Sequence, residues 1–191
     1  MPFKGIRRLL NLNIFNMLKI KNIFAFTLSA IIFLAAFQSC MQEDKSKRIS
    51  PPATASETIS NGNTVTINYS KPSLKGRIIG KSIAPFDTVW RAGANEATTF
   101  EIAKDAMIEG KALPKGKYSL YMIPGEKTWT VIFNKMWDQW GTEYNQSLDA
   151  LRVQVAPAKA NEFFEMLRYV IENDGTVFLL WGDLMVPFKV A

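Results

Sequence analysis

The feature that most constrains the fold is a pair of aromatic and β-branched runs that flank a Pro-Gly turn. Residues 117–123 (KYSLYMI) and 128–133 (TWTVIF) are separated only by PGEK at 124–127. β-branched and aromatic residues favour extended strands, and Pro followed by Gly favours a tight turn. The pattern predicts an antiparallel hairpin, which needs further strands or another layer to bury its apolar face.

Similar short runs recur from residue 58 to the end of the chain. Apolar and polar residues alternate within them, and turn-forming residues separate them. The predicted strands lie at 64–69, 98–102, 151–155, 176–181 and 186–190, with a short hairpin at 105–110. Residues 163–171 fit either a strand or a helix, and 137–148 fit a loop with or without a helical turn. The pattern predicts an all-β domain over residues 58–191, an antiparallel β-sandwich of the jelly-roll or immunoglobulin-like type.

Residues 1–39 have the organisation of an export signal. An uncharged apolar run at 23–37 follows Lys19 and Lys21. The run has the length of a signal-peptide core and is shorter than the roughly 20 residues of a membrane-spanning helix. Met17 is an alternative start, because the residues that follow it already form a normal basic segment.

Cys40 follows this run, and Ser39 before it is the small residue that a lipoprotein processing site requires. We therefore expect residues 1–39 to be removed and Cys40 to be acylated, which would tether the mature chain stably to a bilayer. The expected location is the outer membrane, on its periplasmic or its cell-surface face. The alternative is an ordinary signal peptide with an incidental cysteine. Polar residues and two adjacent prolines predict a flexible linker over 40–57.

Composition excludes several classes of function. The chain has 23 basic and 17 acidic residues, and the first 40 residues hold five of the basic ones and none of the acidic ones. The rest of the chain is nearly neutral, so we expect no binding to nucleic acid. One cysteine and no histidine exclude an internal disulfide, Ser-His-Asp catalysis and histidine metal sites. We expect no metal and no cofactor.

Four motifs stand out in the predicted domain: YSKPSLKGR at 69–77, VWRAGANEAT at 89–98, LPKGKYSL at 113–120 and WTVIFN at 129–134. Together they resemble domain-of-unknown-function family 2911, a family of uncharacterised exported bacterial proteins. The resemblance extends over about residues 59–190. It implies an exported protein or lipoprotein of Gram-negative bacteria, and it implies no particular activity.

The segment that begins at Trp90 combines groups that often bind sugars. Trp90 offers an aromatic face, while Arg91, Asn95 and Glu96 offer a fork-shaped donor, an amide and a carboxylate. The small residues between them would let a ligand approach the backbone. The alternative is structural. In that case Trp90 is a core residue, Arg91 pairs with Glu96, and Asn95 satisfies backbone groups in a turn.

A second set of candidate residues follows the predicted hairpin. Asn134, Trp137 and Trp140 lie on a predicted loop, where they would form a stacking platform for a ligand or would cover one end of the sandwich. Arg77 lies in a basic stretch that would contact an anionic ligand or only solvent. Two further tryptophans fall in mid-strand and are predicted core residues: Trp129 and Trp181.

These features favour a non-catalytic envelope lipoprotein that binds a small-molecule or glycan ligand. The first alternative is a structural or assembly lipoprotein that binds an envelope protein. The second alternative is a glycoside hydrolase in which Glu96 acts together with Asp87 or Asp138. We expect no catalytic residues.

Overall fold

The predicted hairpin provides two adjoining strands of a six-stranded antiparallel sheet in a computed structural model that describes residues 44–191. The predicted signal peptide, the alternative start Met17 and the acylated Cys40 lie outside these residues. The strands are β1 (Pro52–Thr58), β2 (Thr64–Ser70), β3 (Ile79–Gly80), β4 (Ile83–Pro85), β5 (Thr99–Ile102), β6 (Ala106–Ile108), β7 (Lys111–Leu113), β8 (Gly116–Ile123), β9 (Trp129–Asn134), β10 (Asp149–Val155), β11 (Ala158–Ile171) and β12 (Thr176–Lys189). The six-stranded sheet has the order β1-β2-β5-β8-β9-β10.

The long hairpin formed by β11 and β12 packs on one face of this sheet. Each of its strands has 14 residues, and the pairing shifts register twice, on either side of Phe164. The ambiguous segment at 163–171 is therefore a strand, and the two strands predicted at 176–181 and 186–190 are one. The predicted all-β antiparallel sandwich is confirmed. The predicted loop contains one helical turn, a 3-10 turn at Gln146–Leu148.

The core lies between the six-stranded sheet and the β11–β12 hairpin. Opposed pairs such as Ile67 with Phe100 and Met122 with Val131 place apolar side chains on one face of the sheet. Residues that face the core from the hairpin are equally buried, and they include Leu167, Tyr169, Val177, Leu179, Trp181 and Phe188. Burial of this much apolar surface is the main favourable contribution to folding.

Three tryptophans join the two layers at one end of the core. The rings of Trp90 and Trp181 are stacked, with centroids 5.4 Å apart and planes 9° apart. Trp129 meets Trp90 edge to face at 6.3 Å. Trp129 and Trp181 are almost completely buried, which confirms both predicted core residues.

The folded part begins earlier than the predicted boundary at residue 58. Strand β1 pairs along its whole length with β2, from Pro52 opposite Ser70 to Thr58 opposite Thr64. On its exposed face, hydroxyl and amide side chains bond across the strands: Thr54 with Asn68, Ser56 with Thr66, and Thr58 with Thr64. The inward face carries only alanines and a glutamate, so this strand has the weak hydrophobic pattern of an edge strand.

Two glycines with positive φ allow the cost of a close backbone approach to be measured separately from backbone strain. Gly175 has φ +89° and Gly110 has φ +75°, but only at Gly175 would an added Cβ collide, at 2.0 Å from the carbonyl oxygen of Val190. We expect Gly110→Ala to destabilise the domain by about 1–2 kcal/mol through strain alone. Gly175→Ala should cost at least about 2 kcal/mol more because the backbone must move. Urea unfolding of both variants checks this, and equal costs would contradict the structural account.

Candidate functional site

The segment that begins at Trp90 is fixed against the edge of strand β8. The backbone N–H of Trp90 donates to the Met122 carbonyl at 2.7 Å, and the Trp90 carbonyl accepts from the Met122 N–H at 2.8 Å. The Leu120 N–H donates to the Thr98 carbonyl at 2.7 Å. The face of the Trp90 ring that was a candidate for stacking a ligand lies against Trp181. Trp90 therefore contributes to the core, as the structural alternative predicted.

Glu96 is held by residues from the predicted linker. Its carboxylate accepts from Lys45 Nζ at 2.8 Å and from Arg48 Nη1 at 2.8 and 2.9 Å. The Lys45 hydrogen bond is the main cause that lowers the pKa of Glu96 to about 2, against the opposing effect of burial. The predicted Arg91–Glu96 ion pair is wrong, because the Arg91 guanidinium donates instead to the Asn95 carbonyl at 3.3 Å. Burial also lowers the pKa of Arg91.

Asn95 completes this attachment. Its φ is +60°, and its side-chain amide donates to the Ser50 carbonyl at 3.0 Å. We name the contacts of Lys45, Arg48 and Ser50 with Asn95 and Glu96 the latch. The latch and strand β1 together show that residues 45–57 are attached to the domain, whereas the whole of 40–57 was predicted to be a flexible linker.

The structure brings the two predicted clusters together. Glu96 and Trp140 lie opposite each other in an isolated antiparallel bridge. The Gly141 N–H donates to the Asn95 carbonyl at 3.0 Å, and the Ala97 N–H donates to the Gln139 carbonyl at 3.1 Å. Trp140 is therefore a direct neighbour of the latch.

Trp137 and Trp140 remain accessible, with exposed fractions of 40% and 46%, and Met136 next to them is 47% exposed. The Lys117 ammonium lies 4.4 Å from the Trp137 ring centroid, a cation–π contact. We name Met136, Trp137 and Trp140 the aromatic patch. Trp137 and Trp140 are exposed, whereas Trp90 is partly buried and Trp129 and Trp181 are buried.

Asn134 is fully buried, so it supports the loop and does not reach the surface. Its side-chain amide donates to the Asn145 carbonyl and to Asp149 Oδ1, each at 2.8 Å, and its oxygen accepts from the Met136 N–H at 3.0 Å. Tyr144 adds a hydrogen bond to Asp149 at 2.7 Å. Burial, together with this bond, raises the pKa of Tyr144 to about 12. The loop that carries the aromatic patch is therefore held by a polar network.

Arg77 lines a groove whose residues are different from those of the latch. Its Nε donates to the Leu74 carbonyl at 3.0 Å, and its Nη2 donates to the Ser73 carbonyl at 2.6 Å. The groove has a volume of about 540 Å³. Its lining residues are Leu74, Arg77, Ile78, Ile79, Glu126, Pro157, Ala158, Lys159, Phe163, Gly182, Asp183 and Leu184.

Sequence reasoning missed most of this groove. Phe163, which is 60% exposed, fell in the segment that fitted either a strand or a helix. A signal was present, because Phe163 and Phe164 are adjacent and cannot both face the core of a regular strand. The register shift beside Phe164 turns Phe163 outward.

The family of this chain is given by a family model that matches most of its residues. A family model described as a protein of unknown function, DUF2911, matches residues 50–190. The chain belongs to this family. The DUF2911 match begins just before β1 and ends at Val190, so it spans every strand of the sandwich. It confirms the resemblance inferred from the four motifs. No curated protein and no solved structure matches the chain.

Two further properties of residues 44–191 bear on function. No helix among them is long and apolar enough to cross a membrane. Among the same residues, no three acidic, histidine or cysteine side chains are grouped so that they could hold a metal ion.

The latch makes a prediction about pH. Because the pKa of Glu96 is lowered from 4.5 to about 2, the latch should be intact above about pH 4.5 and should be lost as the pH falls through about 2. At neutral pH, Glu96→Gln removes the charge and should speed amide exchange in residues 45–51, because local opening becomes easier. Hydrogen exchange measured by NMR checks both statements.

The matched control for this prediction is Glu101→Gln. Glu101 is exposed and its ion pair with Lys117 is long, at 3.9 Å, so exchange in residues 45–51 should stay unchanged. Equal exchange in wild type and the Glu96 variant would show that the latch does not hold this segment.

Proposed function

We propose that this DUF2911 protein is a non-catalytic ligand-binding lipoprotein. In this proposal, acylated Cys40 tethers the exported chain to the outer membrane, and the groove beside Arg77 holds a small amphipathic ligand. The observation that carries the proposal is the groove itself, which combines an apolar floor with a charged rim.

The floor of the groove supports an apolar ligand body. Leu74, Ile79 and Leu184 contribute side chains that also pack on the core, while Ile78 and Phe163 are more than half exposed. Ligand sites in proteins usually have volumes of about 300–1,000 Å³ and are lined mainly by apolar side chains, and this groove fits that description. A ligand that covered Phe163 would remove apolar surface from water, which favours binding.

The rim supports a polar ligand group. Arg77 uses Nε and Nη2 for the turn, and its Nη1 has no hydrogen bond within residues 44–191. Lys159, Glu126 and Asp183 also form no ion pair with any described residue. A guanidinium beside an ammonium suits a carboxylate or phosphate group, while the two carboxylates suit hydroxyl or amino groups.

The ion pairs of Glu96 with Lys45 and Arg48 disfavour Glu96 as the general acid of a hydrolase. A general acid needs a pKa near the working pH, whereas the pKa of Glu96 is lowered to about 2 by Lys45 and Arg48. The Glu96 carboxylate is therefore ionised at neutral pH and engaged with two cations. We do not propose the glycoside hydrolase alternative.

The groove can be tested with 8-anilinonaphthalene-1-sulfonate, an anionic aromatic probe that fluoresces in apolar surroundings. We expect saturable binding to the wild-type chain. Phe163→Ala should weaken binding about tenfold, since it removes part of the apolar floor. Arg77→Gln should weaken it about tenfold as well, because it removes a charged hydrogen bond to the sulfonate. Fluorescence titration measures the dissociation constants.

The control for the groove is Trp140→Phe, which changes an exposed aromatic residue outside it and should leave probe binding unchanged. If Phe163→Ala and Arg77→Gln bind the probe as tightly as wild type, the groove is not the ligand site.

The lipid anchor is tested on the chain expressed with residues 1–39 in a Gram-negative host. We expect the mature protein to begin at Cys40 and to carry a diacylglycerol and a third acyl chain, because Ser39-Cys40 lies just after the apolar run at 23–37. Mass spectrometry of the N-terminal peptide measures this. Cys40→Ser should remove the acyl groups, and a wild-type peptide without them would contradict the proposal.

A further inference from the structure

Exposed apolar side chains are concentrated beside the latch. Seven large apolar side chains of the described residues are exposed, and four of them lie on the latch segment or on the loop that pairs with it: Ile49, Met136, Trp137 and Trp140. Ile49 is 80% exposed, the largest fraction among the seven. The others are Ile78 and Phe163 at the groove, and Met107.

Backbone contacts place Ile49 and Trp140 beside the same latch. Ile49 lies between Arg48, which binds Glu96, and Ser50, whose carbonyl binds Asn95. Trp140 lies opposite Glu96 in an antiparallel bridge, and side chains opposed in this way have Cβ atoms about 5 Å apart. Ile49 and Trp140 therefore flank the same latch, and Trp137 is only three residues further along the loop.

Hydrogen bonds within the loop hold the backbone that carries the two exposed tryptophans. The buried Asn134 amide fixes Met136 and Asn145 on either side of them. The Gln139 side chain, between them in the sequence, points inward to the Tyr121 hydroxyl at 2.9 Å. With Asn134 and Gln139 bonded inward, the loop presents Trp137 and Trp140, together with the exposed carboxylate of Asp138, on a fixed backbone. A fixed backbone lowers the entropic cost of binding.

The composition of this surface fits the interface of a membrane. Tryptophan is enriched where water meets the bilayer, because its ring is apolar and its N–H is polar. Two exposed lysines lie on the same segments, Lys47 and Lys135. Lysine stems cover apolar surface while their ammonium groups reach the headgroups.

The latch also limits how far this surface can be from the proposed anchor. Lys45, which is bonded to Glu96, is five residues from Cys40. Five fully extended residues span at most about 18 Å. A flexible linker up to residue 57 would have allowed a distance about three times as long. The latch therefore keeps Trp140 close to the bilayer surface that would hold the acyl chains.

We propose that Ile49, Met136, Trp137 and Trp140 form a membrane-contact surface that inserts into the headgroup region of the bilayer carrying the anchor. This inference rests on the proposed acylation of Cys40. The occupant of the surface is the phospholipid interface. Insertion fixes the orientation of the sandwich on the membrane, because contact is made at the anchor and at a rigid surface beside it.

The test uses the full acylated chain reconstituted into vesicles of phosphatidylethanolamine and phosphatidylglycerol, with and without brominated acyl chains that quench tryptophan. Trp129 and Trp181 are buried, and Trp90 is partly buried with one face stacked on Trp181, so most of the quenching reports on Trp137 and Trp140. We expect brominated lipid to reduce the emission of the wild-type chain. The double variant Trp137→Phe, Trp140→Phe should lose this reduction.

Two variants sharpen the test. Glu96→Gln leaves both tryptophans in place but weakens the latch, so quenching should fall. Phe163→Leu changes an exposed aromatic residue at the groove and should leave quenching as in wild type. Equal quenching in the Glu96 variant would overturn the role of the latch.

Mass spectrometry of the same sample separates the two proposals. An acylated chain whose tryptophans are not quenched by brominated lipid overturns the membrane-contact surface and leaves the lipoprotein proposal intact. A chain without acyl groups overturns the lipoprotein proposal, and with it the reach argument for this surface.

Discussion

The apolar contact between the six-stranded sheet and the β11–β12 hairpin is the interaction on which the rest of the structure depends. Neither layer would be stable by itself in water, because one face of each is apolar over most of its length and would be exposed to solvent. The stacked rings of Trp90 and Trp181 extend this contact to the segment before β5. The position of Glu96, and so of the latch, follows from the burial of Trp90.

Strands β8 and β9 are buried on both faces by different means. One face packs in the apolar core, whereas the other carries Ser119, Tyr121 and Asn134, which bond to the loop above them. The loop turns polar groups toward Asn134 and Tyr121, and its outer surface carries Trp137 and Trp140 together with the charged Lys135 and Asp138. The same loop therefore carries the polar network on its inner surface and the aromatic patch on its outer surface.

Local patterns in the sequence predicted most strands and missed the features that depend on distant contacts. The hairpin β8–β9 was predicted because its alternation and its Pro-Gly turn lie within 17 residues. Strand β1 was missed because Ala53 and Ala55 give little apolar signal. Asn134 was expected at the surface, since a polar residue at a strand end looks the same whether a loop covers it or not. The latch joins residues 48 positions apart, and no local pattern encodes such a pair.

The latch also determines how mechanical load enters the fold. Tension that arrives along the chain from its N-terminal side meets the Lys45 and Arg48 ion pairs before it meets β1. Strand β1 is at the edge of the sheet, and lifting its first residue would open the pairs with β2 one at a time from Pro52. The latch diverts that load to the Asn95–Glu96 turn, which is bonded to the loop at 139–141 as well as to β8 through Trp90. A pull on the chain is therefore shared among several segments before it reaches the edge strand β1.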